Sequence, residues 1–253
     1  MLAEILAVNV FAFLLIFVRI GTILLIMPGF SSAQVLMQHR LLFALVVAFL
    51  LTPLLANKLP EMPGSPLALV ALVLGEFLAG AILGTVARIV FASVQTAGTI
   101  ISFVSGMANA MAYDAISQAQ SSLVSGFLGT TAVTVFFVTN MHHLVIQAMV
   151  DSYTLFLPGT TPIIGDVTEL ISRHISLSFK VGMQMATPFL IMSFAYYLAL
   201  GLLTRLVPQL PIFFVALPVQ IVLSIATFMV ATASIILAFL TYFQDSMEPF
   251  LAP

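Results

Sequence analysis

The stretch SVQTAGTIISFVSGMANAMAYDAISQAQSSLVS, Ser93 to Ser125, decides how the rest of the chain is read. It lies between strongly apolar blocks, yet it is rich in Gly, Ala, Ser, Thr, Gln and Met and carries one formal charge, Asp114. A solvated loop of this length normally holds several charges. A lipid-facing helix holds more Leu, Ile, Val and Phe, and fewer amides and hydroxyls. Too polar for lipid and too uncharged for bulk water, the segment belongs against other protein, or against a water-filled cavity inside a membrane assembly.

Composition agrees with that setting. Of the 253 residues, 62% are hydrophobic and 6% charged, whereas soluble domains run to about 25% charged. The fold class expected is all-α: an integral membrane protein with about six long hydrophobic helices. The apolar blocks are Ile5 to Met27, Leu41 to Ala56, Leu67 to Val90, Phe127 to Val150, Ile175 to Leu203 and Ile212 to Phe243. Pro28-Gly29 stops the first, and the turn NKLPEMPGSP follows the second. The last block is too long for a simple perpendicular span, so Pro218 and Gln220 are candidate kink positions, or the helix projects beyond the bilayer. Orientation is not legible, because Arg40 and Arg205 fall on one side and Lys58 and Arg173 on the other.

Net charge is −2 with no basic run, which speaks against a nucleic-acid partner. The chain has no cysteine, which removes disulfides and thiol chemistry together. A phosphate-binding glycine loop, a His-Glu-x-x-His pair and a Gly-x-Ser-x-Gly elbow are all missing from the sequence, so no enzyme, cofactor or metal is expected. The adjacent His142 and His143 would point in different directions on a helix, so a shared metal site is not expected of them.

Small-residue spacing is more informative. Glu76, Gly80, Gly84 and Arg88 follow at intervals of four, as do Gly98, Ser102, Gly106 and Ala110, and again Ser121, Ser125 and Gly129. Residues four apart share a helix face, and small ones let helix backbones approach closely. The opening segment therefore reads as two packed helical arms joined by a crossing around Met111 to Gln120 whose one charge is Asp114. Arg19, Glu76, Arg88 and Lys180 are ionisable groups in or beside apolar blocks, and ion pairs that fix helix register explain them better than a proton relay. Met107 and Met111 suit deformable packing, since Met is unbranched.

These residues fall into a familiar order. RIGTILLIMPGF (Arg19 to Phe30), GEFLAGAILG with Glu76 and Gly80, and the run Gln95 to Asp114 come first. NMHHLVIQAMVDSY follows, and then GLLTRLVPQLPIFFVALPVQI with Arg205, Pro208, Gln209, Phe213 and Pro218. Over nearly its whole length the chain resembles the FliR family of flagellar biosynthetic proteins. The resemblance implies a non-enzymatic subunit of the flagellar type III export gate in the bacterial inner (cytoplasmic) membrane, at the flagellar basal body. It implies assembly with FliP and FliQ, with FlhB at the periphery, into a lipid-embedded channel for unfolded flagellar export substrates. It also implies two parts: residues 1–174, FliP-like and carrying a plug, and residues 175–253, a FliQ-like helical hairpin. The matching plug positions are Gly106 to Gln120, with Gly106, Met107, Asn109, Met111, Tyr113, Asp114, Ser117 and Gln118 as candidate plug or channel-lining residues. Ala115 departs from the Pro that relatives often carry there. Helix packing and assembly would fall to Glu76, Gly80, Gly84, Arg88, Gly98, Arg205, Pro208, Gln209 and Pro218.

Two other readings stay open at this point. A virulence type III secretion gate subunit shares the same architecture. A small-molecule or ion secondary transporter would use Glu76 with Arg88 or Lys180, but no repeated halves are visible in the sequence.

Overall fold

The computed structural model describes residues 2–31, 35–107, 123–160, 164–207 and 212–251, with side chains placed for 10–31, 35–107, 123–160, 165–207 and 216–251. Among them are seven α-helices: α1 (Leu2–Ile26), α2 (Met37–Leu55), α3 (Pro66–Val104), α4 (Leu123–Val138), α5 (Met141–Leu155), α6 (Ile164–Leu206) and α7 (Ile212–Met247). Short 3-10 turns follow α2 and α7 at Ala56–Lys58 and Glu248–Phe250. The expected all-α membrane class is what the structure has. Four helices, those of α2, α3, α6 and α7, are long and apolar enough to cross a membrane, or five spans if the bent pair α4 and α5 counts as one. Val10–Ile26 is a shorter apolar helical stretch.

Local chemistry sets the helix ends. Gly29, at φ 92°, takes the left-handed conformation just after α1, one that a side chain disfavours. Ser65 opens α3 by accepting the Ala68 N–H on its Oγ at 3.3 Å, and Pro66 occupies the first helical position, where no N–H is needed. The block Phe127 to Val150, legible in the sequence as one apolar run, is broken in the structure. Asn140 sits at φ 60°, and the two flanking helices are bent by 74°. Asn tolerates the left-handed region better than most residues, so a turn can be inserted inside an apolar run without glycine. Conversely α3 runs unbroken for 39 residues, joining the third apolar block to the first arm of the Ser93–Ser125 stretch. Likewise α7 is one helix of 36 residues containing Pro218.

The chain divides into two compact units, whose boundaries fall within α3, α4, α6 and α7. The first comprises Met1–Val90, Phe136–Ile175 and Phe243–Pro253, the second Phe91–Val135 and Ser176–Tyr242. In the first, Leu15, Ile16, Ile20 and Ile23 of α1 and Met27 just beyond it are fully buried, and Phe30 stacks on Phe43 at 5.2 Å and meets Phe137 edge-on at 5.4 Å. In the second, the Phe91 ring meets Phe239 edge-on at 5.0 Å, and Ser93, Val94 and Ala97 are buried along α3.

Candidate functional site: the helix seams and the end of α3

Two kinds of helix seam are built from the residues singled out in the sequence. The seam of the first unit centres on Arg19, which is 1% exposed, as is Glu76. Arg19 Nε donates to Glu76 Oε2 at 2.6 Å and Nη2 to Oε1 at 3.1 Å, a bidentate pair between α1 and α3. Nη1 donates to the Ser152 carbonyl at 3.0 Å and to Ser152 Oγ at 3.3 Å, and Nη2 to the Phe156 carbonyl at 3.0 Å. The guanidinium has five N–H donors, and these five bonds use them all. Its acceptors at Ser152 and Phe156 belong to the C-terminal end of α5, where a cation is favoured, and the Ser152 carbonyl also accepts the Phe156 N–H at 2.8 Å. The Tyr153 ring lies under the guanidinium, 3.8 Å from carbon to centroid, adding a cation–π contact.

The backbones meet at the same place. A Cβ on Gly80 would stand 2.5 Å from the Arg19 carbonyl, and one on Gly84 3.0 Å from Ile26 Cβ and 3.3 Å from the Ile23 carbonyl. Glu76, Gly80 and Gly84 thus lie along α1 over two turns. Arg88, four residues on, is exposed. Steps of four advance about 400° around a helix of 3.6 residues per turn, so each drifts about 40° and the fourth member leaves the seam.

The second unit uses no ionised groups at its described seams. A Cβ on Gly98 would stand 2.4 Å from Ser125 Cα, so α3 and α4 touch backbone to backbone. Ser125 Oγ donates to the Gln95 carbonyl across the same contact at 3.2 Å. Gly129, the next step of that ladder, meets nothing within 4 Å of a built Cβ. On the other flank of α3, a Cβ on Gly182 of α6 would be 2.8 Å from the Ser93 carbonyl. Gly182 was missed by the sequence reading, although Ser178, Gly182 and Ala186 form the same spacing of four and all are buried.

At the end of α3, Gly106 takes φ 73° and terminates the helix. Gln220 of α7, an expected kink position, reaches across instead. Its Nε2 donates to the Val104 carbonyl at 2.8 Å and to Tyr197 Oη at 3.1 Å. It therefore satisfies a carbonyl of the last helical turn, which has no partner within the helix. The Tyr196 hydroxyl donates to the Ala216 carbonyl, tying α6 to α7. Beside this junction lies a cavity of about 310 Å³, lined by Ile101, Met107, Val124, Phe127, Phe189 and Ser224 among others. Ser224 Oγ is buried without a hydrogen-bond partner among the described residues.

Of the proposed plug and channel positions, Gly106 and Met107 are described; Asn109, Met111, Tyr113, Asp114, Ser117 and Gln118 lie outside the described residues, as do Pro208 and Gln209. Arg205 is exposed in the last turn of α6, and Pro218 sits within α7.

Comparison with known proteins turns this arrangement into a family assignment. The pattern described as bacterial export proteins, family 1, matches residues 10–246. The chain belongs to that family. Among its relatives, the flagellar biosynthetic protein FliR of Caulobacter vibrioides is 32% identical over 96% of this chain and 97% of its own length. FliR of Bacillus subtilis is 31% identical over 94% of this chain and 92% of its own. The secretion system apparatus protein SsaT of Salmonella typhimurium is 23% identical over 85% of this chain and 84% of its own. The matched span of this family of export proteins takes in both seams: Arg19 and Glu76 of the first, Gly98, Ser125 and Gly182 of the second, and Gln220 at the end of α3.

Proposed function

We propose that the chain is a subunit of the flagellar type III export gate in the bacterial inner membrane, where it forms a channel for unfolded flagellar proteins with FliP and FliQ, and with FlhB at the periphery. The observation that carries the flagellar reading is end-to-end similarity to two FliR proteins at 31–32% identity, against 23% for the virulence-system relative. The protein works by position, without catalysis. Close small-residue seams make a tightly wound helical assembly, and the nearly uncharged segment Gly106–Gln120 is its plug. An uncharged wall offers a sliding polypeptide no strong binding point. Residues 1–174 form the FliP-like part and residues 175–253 the FliQ-like hairpin; the α6–α7 pairing through Tyr196 and Gln220 supports the latter. The exposed Arg88 and Arg205 serve assembly with partner subunits.

Deletion of Met107–Ser117 tests the plug. The expected outcome is that the variant still copurifies with two small hydrophobic partners in fixed ratio, while membrane conductance to small ions rises. Unchanged conductance in an assembled deletion complex refutes the plug, and purification without partners refutes the gate.

A further inference from the structure

The cavity beside the end of α3 has the build of a ligand site. Every residue that lines it belongs to the second unit. Ile101 of α3, Val124 of α4, Phe189 of α6 and Ser224 of α7 form its inner wall and are buried. Leu123, Phe127 and Met229 stand at its mouth and are exposed. The Phe228 ring meets Phe127 edge-on at 5.7 Å and tilts against Phe189 at 5.9 Å, so one side of the cavity is aromatic.

Two polar side chains line this space, Ser105 and Ser224, and they differ. Ser105 Oγ donates to the Ser102 carbonyl at 3.1 Å and accepts the Met107 N–H at 3.4 Å. Ser224 is 1% exposed, and its Oγ has no partner among the described residues. Helical hydroxyls in this unit commonly turn back on their own helix: Thr96, Thr130, Thr227 and Thr232 each donate to the carbonyl four residues earlier. Ser224 does not. Ser102 Oγ is also unpaired, but Ser102 does not line the cavity. A buried hydroxyl without a partner is destabilising, and a group in the cavity that bonds it offsets that penalty.

Size and polarity select the occupant. A dry cavity of about 150 Å³ holds one benzene, so a space of about 310 Å³ takes a body of about two rings. A buried water needs about two to four polar partners, whereas Ser224 Oγ is the one free hydroxyl among the lining residues. No lining residue is ionisable, so a charged guest would find no counter-ion. Aromatic walls favour an aromatic guest through edge-on and stacked contacts.

We propose that this cavity binds a small hydroxylated aromatic, an aryl alcohol or phenol. Its ring lies against Phe127, Phe189 and Phe228, and its hydroxyl is hydrogen-bonded to Ser224 Oγ. A serine hydroxyl both donates and accepts, so either direction of that bond is available. The ligand touches α3, α4, α6 and α7 at once, close to the junction where Gln220 holds the Val104 carbonyl. The site rests on the second unit alone and does not depend on the export role.

The test uses the full chain with its copurifying subunits in lipid nanodiscs. The probe is a benzyl alcohol carrying a trifluoromethyl-diazirine on its ring, and its control is the matched toluene without the hydroxyl. Both are photolysed over a concentration series, and labelled residues are located by peptide mass spectrometry. The expected result is saturable labelling at the cavity that 4-phenylphenol displaces. Ser224→Ala should raise the half-saturating concentration of the alcohol about five-fold, the size of one net hydrogen bond, and leave that of the toluene unchanged. Val124→Phe should fill the space and abolish labelling by both probes. Thermal unfolding without probe shows whether that variant is folded, and Ser224→Ala decides alone where it is not. Equal shifts for the two probes in Ser224→Ala, or no shift for either, overturn the proposal. So does labelling that oleic acid displaces as well as 4-phenylphenol does, since a lipid chain is then the occupant. Labelling spread without saturation over exposed apolar faces, or none at the cavity, also overturns it, because no bounded site then exists.

Discussion

The seam around Arg19 in the first unit and the seams around Gly98 and Gly182 in the second solve the same problem by different chemistry. Both must hold apolar helices together where the surroundings give little hydrophobic driving force between helices. Around Arg19 a charge is buried and all its donors are met, by Glu76 and by the open end of α5. Around Gly98 there is no charge, and the helices instead approach until backbone touches backbone. The first arrangement specifies one register strongly, because any slip strands a buried ion. The second relies on shape, so its specificity lies in which positions lack a Cβ. A charge-free seam is also the kind that can continue toward the nearly uncharged segment after Gly106 without introducing fixed ions.

The sharpest way to break this contrast is to remove one member of the ion pair. Arg19→Ala leaves Glu76 buried without its partner and opens the end of α5, and it should cost about 3–5 kcal/mol of stability. Thermal unfolding in detergent is the measurement, and Arg19→Met combined with Glu76→Leu should recover much of the loss. If the single variant costs no more than the double one, the seam is shape-held like the other.

Next in size is Gly98→Ala. Its methyl would fall 2.4 Å from Ser125 Cα, so α3 and α4 must part, at an overpacking cost of about 1–3 kcal/mol. Gly129→Ala, with nothing within 4 Å, should be close to neutral in the same assay. Equal effects at the two glycines would show that helix propensity, not close approach, matters there. The smallest effect expected is for Gln220→Leu. It removes the donor to the Val104 carbonyl and to Tyr197, a loss of about 0.5–1.5 kcal/mol. The readout is faster hydrogen exchange in the last turn of α3, with α1 unchanged.

Much of this fold is legible from residues alone, and the failures have physical causes. The long helices follow from apolar blocks and from stops such as Pro28-Gly29 and the prolines after Asn57. The break at Asn140 is hidden because it uses neither Gly nor Pro, and both sides of it are apolar. Arg88 belongs to its ladder by count but not by angle, since four is not 3.6. Gly182 and Ser178 carried the same spacing signal as Gly98, but charged and methionine neighbours in SFKVGMQMA masked it. The partners of Arg19 at Ser152 and Phe156 have no signal at all in the sequence, since two of these acceptors are backbone carbonyls more than 130 residues away.

The helical membrane class, the family, and the inventory of small and charged residues available for packing are all readable from the order of residues. The class and the inventory depend on composition and periodicity and the family on the order of its motifs, all of them properties of the chain read in one dimension. That Gly98 touches another backbone while Gly129 faces open space, and that Arg19 binds the end of α5 as well as Glu76, follows from the packing of the helices. Close approach and ion pairing depend on which helix lies opposite, at what angle and register, and a helix's own sequence does not carry that information.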